Sequence, residues 1–353
     1  MPGKVVSNST VRLAIIGCGA VTELCHLPSA ELTDRVEIVS LVDKNISRAQ
    51  MLAEKFNVAN CTDDYRSLPS NIDGAIVALP HFLHAPATIE LLKSGMPVLV
   101  EKPMALNAKE AEAMITTAKD TGVPLQIALM YRFANGVRMV KQALKEGWLG
   151  TVQSFTVEWG FVYDWPVASG FFFSKEQAGG GVLMDLGSHV LDLLLWWFGS
   201  VIDVEYRDDA MGGVEADCHL SLILEGPNGP VEGTVTLSRL RNLTPVARIA
   251  GDHFTIECDL YSPDTVRIWP SGLTDKSLAF VLDFDRMPRQ SMDEIYVEQL
   301  LAFAQTVTTN SKSVVSGESV LSSVALIDRC FQERQPLEMP WMKPVVSNQR
   351  ELA

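Results

Sequence analysis

Over its first 130 residues the chain alternates short apolar runs with amphipathic helical stretches, and this alternation confines it to an α/β plan. Val11–Ile16, Val36–Val42, residues 74–79, 97–100 and 124–129 read as five buried strands. Between them, residues 47–56, 85–93 and Ala108–Thr121 carry apolar positions at helical spacing. Gly95 and Gly122 fall just past two of these helices, where a C-terminal cap takes a left-handed residue. Strands and helices alternating at this spacing predict a doubly wound parallel sheet.

After about Leu149 the period changes from 3.6 to 2. Phe155, Val157, Trp159 and Phe161 alternate with polar residues, as do Cys218, Leu220, Leu222 and Leu224. Residues 231–237 and 254–260 repeat the pattern, which predicts antiparallel strands covered on one face. Asn228-Gly229 marks a hairpin between two of them. An apolar stretch at 182–198 interrupts the strands, and helical segments at 293–308 and 317–331 close the chain. The expected organisation is a flexible start at 1–10, an α/β domain at 11–132, an α+β domain at 133–340 and a tail at 341–353. A cleft between two such domains is a natural ligand site.

The stretch 182–198 contains Asp185, His189 and Asp192, which argues for a buried helix over a membrane span. No basic start with an apolar core behind it opens the chain, so no secretory signal is expected. A net charge of −14 disfavours nucleic acid and anionic lipid as partners. The six cysteines include no Cys-x-x-Cys pair, so free thiols in a reducing cytoplasm are expected and no metal site is assigned.

Gly17-Cys18-Gly19-Ala20-Val21-Thr22 follows the first strand and opens a helix. Its first glycine permits a tight turn, its second lets the backbone approach a pyrophosphate, and helix N-terminal amides face the anion. Thr22 stands where a third glycine is usual. Asp43 ends the second strand 21 residues later, where a carboxylate accepts from the adenine ribose of NAD and repels the extra phosphate of NADP. Lys44 and Arg48, both able to reach a phosphate, keep NADP open as the less favoured cofactor.

Glu101-Lys102-Pro103 closes a later strand of the same sheet, and ligands bind outside the carboxyl ends of parallel strands. Well downstream, Gly179-Gly180-Gly181 precedes a helix carrying Asp185 and His189 four residues apart, on one face. A surface lysine and a satisfied core histidine are the plain alternatives. His81 and His84 follow the third strand and point towards the same edge.

This set of residues, with Pro80-x-x-x-His84 and Tyr131-Arg132-Phe133, resembles the Gfo/Idh/MocA oxidoreductases from about residue 11 to 331. The resemblance implies a Rossmann domain followed by a domain with a large, open, mostly antiparallel sheet used for oligomerisation, giving a homodimer or homotetramer. It implies hydride transfer between NAD(P) and the hydroxyl-bearing or keto carbon of a sugar, inositol or related polyol. Carried over by position, Lys102, Asp185 and His189 are catalytic. Gly17, Cys18, Gly19, Ala20, Val21, Asp43, Lys44, Leu79, Pro80, His81, His84, Glu101, Lys102 and Arg132 contact cofactor. His81 departs from the family's usual Asn. Tyr163 and Trp165, in an aromatic segment, are candidates to stack on a sugar ring, and Phe171-Phe172-Phe173 reads as core or interface. In this reading His189, with a reference pKa near 6.5, takes the hydroxyl proton, Asp185 orients His189 or the hydroxyl, and Lys102 stabilises the developing charge. A non-catalytic NAD-binding sensor and an NAD-assisted glycosidase or lyase are the rival readings.

Overall fold

A computed structural model describes residues 10–166, 169–273, 280–281 and 290–338. The polar ends expected at 1–10 and 341–353 lie outside the described residues, apart from Thr10. Strands are β1 Val11–Ile16, β2 Val36–Val42, β3 Asn60–Thr62, β4 Gly74–Val77, β5 Val98–Glu101, β6 Leu125–Ala128, β7 Val152–Gly160 and β8 Val201–Asp208. They continue with β9 Asp217–Leu224, β10 Val231–Ser238, β11 Leu243–Gly251, β12 Phe254–Asp259, β13 Val266–Pro270, β14 Phe280–Val281 and β15 Gln335–Pro336. Helices are α1 Leu27–Glu31, α2 Ile46–Lys55, α3 His84–Lys93, α4 Ala108–Thr121, α5 Asn135–Lys145, α6 Lys175–Ala178, α7 Ser188–Phe198, α8 Met292–Thr309 and α9 Gly317–Gln332.

Six parallel strands form the first sheet in the order β3-β2-β1-β4-β5-β6. The strand order reverses between β1 and β4, and a ligand crevice opens at the carboxyl edge of such a reversal. The loops after β1 and β4 touch there: a Cβ on Gly17 would stand 2.2 Å from the Ala78 carbonyl oxygen, and Gly17 has φ +106°. Only glycine fits both demands.

The helix after β1 widens into a π turn at Thr22–His26 before α1. The widening directly precedes Pro28, which has no N–H and whose ring crowds the carbonyl four residues back. A second π turn, Leu183–Gly187, breaks the expected continuous helix at 182–198 and carries Asp185.

The second sheet has nine strands in the order β14-β13-β12-β11-β7-β10-β9-β8-β15. β10 runs parallel to β7, and β15 to β8; the other pairs are antiparallel. One face packs on the helices, with Phe155, Val157, Leu220, Leu222 and Val235 sharing a core with Leu191 and Leu194 of α7. On the other face Thr156, Glu158, Ser221 and Glu232 are exposed. The stretch carrying α7 is long and apolar enough to span a membrane by composition, yet it is mostly buried in this core.

α8 comes late in the chain and packs on the first sheet. Its Leu300, Phe303 and Ala304 share a core cluster with Leu13, Ile15 and Ile76. Gly74 in β4 makes room for it: a Cβ there would be 3.2 Å from the Phe303 ring. α8 starts at a capping box, Ser291 accepting from Glu294 N while the Glu294 side chain accepts from Ser291 N.

Candidate active site

The glycine loop is braced at both ends. The Asp43 carboxylate accepts from Cys18 N and Asn45 N, both at 2.8 Å. The fully buried Thr22 hydroxyl donates to the Gly17 carbonyl at 2.6 Å, which gives the residue at the third glycine position a reason to be threonine. A Cβ on Gly19 would meet nothing within 4 Å, so the loop is open on that side to a close-lying group such as a pyrophosphate. Arg48 donates to the Cys18 carbonyl at 3.0 Å and to Glu23 at 2.5 Å, and Glu23 also takes Lys55 at 2.8 Å. Lys44 is exposed.

After β4, His84 is fully buried with both ring nitrogens against backbone carbonyls, Pro103 at 2.8 Å and Leu79 at 2.7 Å. It ties the Leu79-Pro80 turn to the turn after β5. His81 Nδ1 lies 2.9 Å from the Ala178 carbonyl, and its ring meets Phe171 and Phe172 edge-on. Burial, then the neighbouring His84, pushes His81 down to about 3, so it is neutral. Phe171 and Phe172 are not in the core; they stand half-buried against His81, and Phe173 is 64% exposed.

Glu101 and Lys102 leave β5, with a cis bond between Lys102 and Pro103. The Glu101 carboxylate pairs with buried His26 at 2.8 Å. Lys102 Nζ crosses to Asp185 Oδ1 at 2.6 Å, 83 residues further along the chain. Asp185 Oδ2 accepts from Arg239 Nη2 at 2.9 Å. Burial would raise the Asp185 carboxyl, but the Lys102 ammonium and the Arg239 guanidinium outweigh it and hold the group far below the usual carboxylate range. Arg239, just past β10, is an unremarkable strand-end arginine in the sequence, and no spacing singles it out.

His189 is 6% exposed, and its Nδ1 is buried with no hydrogen-bond partner. Its ring is held by packing, edge-on to Tyr131 at 5.0 Å and beside Trp159 at 6.2 Å. Asp185 does not bond it, so of the two expected roles for Asp185, orienting His189 or the hydroxyl, the first is not made; its two oxygens are taken by the two cations. Burial, reinforced by the Lys102 ammonium and opposed by Asp185, pushes His189 well below 6.5. It is a neutral base at physiological pH rather than one poised at its midpoint.

Arg132 is committed elsewhere: its guanidinium grips Asp192 at 2.8 and 2.5 Å and reaches Ser319 Oγ at 3.1 Å and the Ser319 carbonyl at 3.0 Å. Gly179-Gly180-Gly181 packs closely on protein: a Cβ on Gly181 would be 1.8 Å from the Glu215 carbonyl oxygen. Trp165 is 39% exposed, whereas the Tyr163 ring lies against the Arg239 guanidinium at 5.1 Å.

Glu215, absent from the sequence reading, caps the Asp185 turn: its buried carboxylate accepts from Gly181 N at 2.7 Å and Leu183 N at 3.0 Å. Glu215→Ala leaves both amides without that acceptor, and a denaturant titration should show a loss of about 1–3 kcal/mol. An unchanged midpoint would show that the cap carries no stability.

Residues 11–129 match the oxidoreductase family with an NAD-binding Rossmann fold, and residues 137–257 match the GFO/IDH/MocA C-terminal domain. This chain belongs to the Gfo/Idh/MocA oxidoreductase family. Trans-1,2-dihydrobenzene-1,2-diol dehydrogenase of Mus musculus is 31% identical over 252 residues, 68% of this chain and 72% of that protein. D-glucoside 3-dehydrogenase of Escherichia coli K12 is 31% identical over 199 residues, 55% of this chain and 56% of that protein. Among solved structures, levoglucosan dehydrogenase in complex with NADH and levoglucosan superposes with a TM-score of 0.79 at 20% identity, covering 92% of this chain and 97% of that one. A 3-ketoreductase from Actinomadura kijaniata in complex with NADP superposes with a TM-score of 0.79 at 22% identity, covering 94% and 100%. These structures share the Gfo/Idh/MocA fold, and the family's Rossmann half is the sheet that ends at Gly17, Asp43, Pro80 and Lys102.

Proposed function

We propose that the chain oxidises a hydroxyl-bearing carbon, or reduces the matching ketone, of a sugar, inositol or related polyol, with NAD as cofactor. One observation carries the reading: four buried polar atoms that have no partner among the described residues, Trp159 Nε1, Tyr163 Oη, His189 Nδ1 and Arg239 Nε, belong to residues gathered around the Lys102–Asp185 pair. Buried polar groups demand hydrogen bonds, so the cluster suits a ligand rich in oxygens. The names of the relatives favour the same substrate class.

Gly17 to Val21, Asp43, Leu79, Pro80, His81, His84, Glu101 and Lys102 would hold the cofactor. When bound, the nicotinamide accepts or donates the hydride. Lys102, with three N–H donors, binds the substrate oxygen and stabilises negative charge as it develops. His189, held neutral, takes the hydroxyl proton in oxidation and returns it in reduction. Asp185 holds the Lys102 ammonium in place. Tyr163 and the more exposed Trp165 would form the wall on which a sugar ring packs. The functional division is a dinucleotide-binding part at 11–132 and a substrate-binding and oligomerisation part at 133–340. The uncovered face of the second sheet favours a homodimer or homotetramer formed through it. All six cysteines are unpaired, which fits a cytoplasmic setting.

The preference for NAD rests on Asp43, with Arg48 drawn onto Glu23 and away from a phosphate. Asp43→Ser should raise the ratio of kcat/KM for NADP to that for NAD by about 10-fold or more, since a like charge beside a phosphate costs several kcal/mol. A ratio that stays put would move the discrimination elsewhere. The function itself is tested by following NADH absorbance over a panel of sugars, inositols and aromatic dihydrodiols. Cofactor binding without turnover across the panel would favour a sensor. Substrate consumption without net NADH would favour a transient oxidation.

A further inference from the structure

Asp185 is shared between two cations, and the sharing has a direction. Lys102 takes Oδ1 at 2.6 Å and makes a longer contact of 3.4 Å to the Asp185 carbonyl. Arg239 takes Oδ2 at 2.9 Å. The arginine is fixed from both sides: its N donates to the Ala216 carbonyl at 2.8 Å, and its carbonyl accepts from Tyr163 N at 3.0 Å. Its guanidinium lies over the Tyr163 ring at 5.1 Å and the Phe172 ring at 5.7 Å. A guanidinium in such a seat is always charged and cannot exchange its proton with substrate.

We propose that Arg239 is a positioning residue of this site, occupying Asp185 Oδ2 so that Lys102 faces only one carboxylate oxygen and keeps an N–H donor for an oxygen in the cleft. The proposal rests on the hydride-transfer reading above. Without Arg239 the whole charge of Asp185 falls on Lys102 and His189, and both bind their protons more tightly. With Arg239 that charge is already offset, and Lys102 responds to the substrate oxygen.

The surroundings of Lys102 leave Asp185 and Arg239 in control. Asp185 faces it from the π turn, His189 from α7, and His81 and His84 from the segment after β4. The Glu101 carboxylate accepts from Lys102 N at 3.1 Å, and Cys25 lies near enough to feel the ammonium. Glu101 also holds the His26 ring at 2.8 Å, and Cys25 is a thiol raised to about 11 by burial, so Asp185 is the carboxylate bonded to the Lys102 ammonium itself. Tyr163 also faces Asp185, and burial raises its phenol, so it adds no charge at neutral pH.

The test is the reactivity of the Lys102 amine with acetic anhydride across pH, read by peptide mass spectrometry on the full chain. In Arg239→Gln the midpoint should move up by about one pH unit, the effect of an unbalanced neighbouring carboxylate. In Arg239→Lys, which keeps the charge, it should stay close to that of the unaltered chain. An unmoved midpoint in Arg239→Gln, or an equal shift in Arg239→Lys, overturns the proposal. If the glutamine variant does not fold, the lysine variant alone still decides, because a shifted midpoint there contradicts it. Labelling needs no substrate, so failure of the hydride-transfer reading appears separately, as an unaltered chain that turns over no member of the panel. With a substrate in hand, the acidic limb of kcat/KM for oxidation moves up in Arg239→Gln, whereas a purely structural role lowers the rate equally at every pH.

Discussion

Lys102→Ala should lower turnover by about 10²- to 10³-fold with the cofactor still bound, the usual cost of removing one preorganised donor aimed at developing negative charge. The ammonium is the group at the end of β5 that reaches the Asp185 turn, and no neighbour can replace it: Arg239 is fixed on the far oxygen of Asp185. The same substitution has a pH signature. Burial and the Lys102 ammonium push His189 below 6.5. Oxidation needs the neutral imidazole, which exists above its pKa. Removing the ammonium raises that pKa, so the acidic limb of the residual activity moves to higher pH. Steady-state rates from pH 5 to 9, with cofactor binding measured by fluorescence, check both parts. Full activity with an unmoved limb would remove Lys102 from the chemistry.

Arg132→Ala should cost stability rather than cofactor affinity. The Arg132–Asp192 pair has side chains 6% and 2% exposed, and breaking one partner of a buried pair costs about 3–5 kcal/mol because the other charge is stranded. Burial already raises the Asp192 carboxyl despite the arginine beside it. The pair and Ser319 pin together the turn after β6, α7 and the start of α9. A denaturant midpoint far below that of the unaltered chain, with a near-normal dissociation constant for NAD in the folded fraction, is the expected outcome. Lost NAD binding at unchanged stability would return Arg132 to the cofactor edge, where the sequence had suggested it.

Much of the first sheet was legible because a parallel strand is buried on both faces and reads as an unbroken apolar run. β1 and β2 fall where those runs predicted, and α4 spans the predicted Ala108–Thr121. β3, three partly exposed residues at an edge, carries too little apolar signal to find. α5 was missed although Val137, Val140 and Leu144 give it a buried stripe; Asn135 and Gly136 at its start disguised it. Lys102, Asp185 and His189 stand out as candidates through motif spacing, and the structure sets the first two in contact. Arg239 and Glu215 were not found, because their roles come from sheet register and from a carboxylate folding back onto a distant turn. The protein partners of Asp185 are not legible for a related reason: four residues of spacing puts two groups on one side of a helix but does not say which will bond. A π turn and two cations decided that.

The return of α8 to the first sheet has a price in time. The face made by Leu13, Ile15 and Ile76 is covered partly by α1 and α2 and partly by Leu300, Phe303 and Ala304, which lie about 170 residues beyond the last strand of that sheet. At about 5–20 residues per second of synthesis, the six-stranded sheet waits roughly 9–35 s on the ribosome for that part of its cover. A message cut short before α8 leaves Leu13, Ile15 and Ile76 without those three apolar partners.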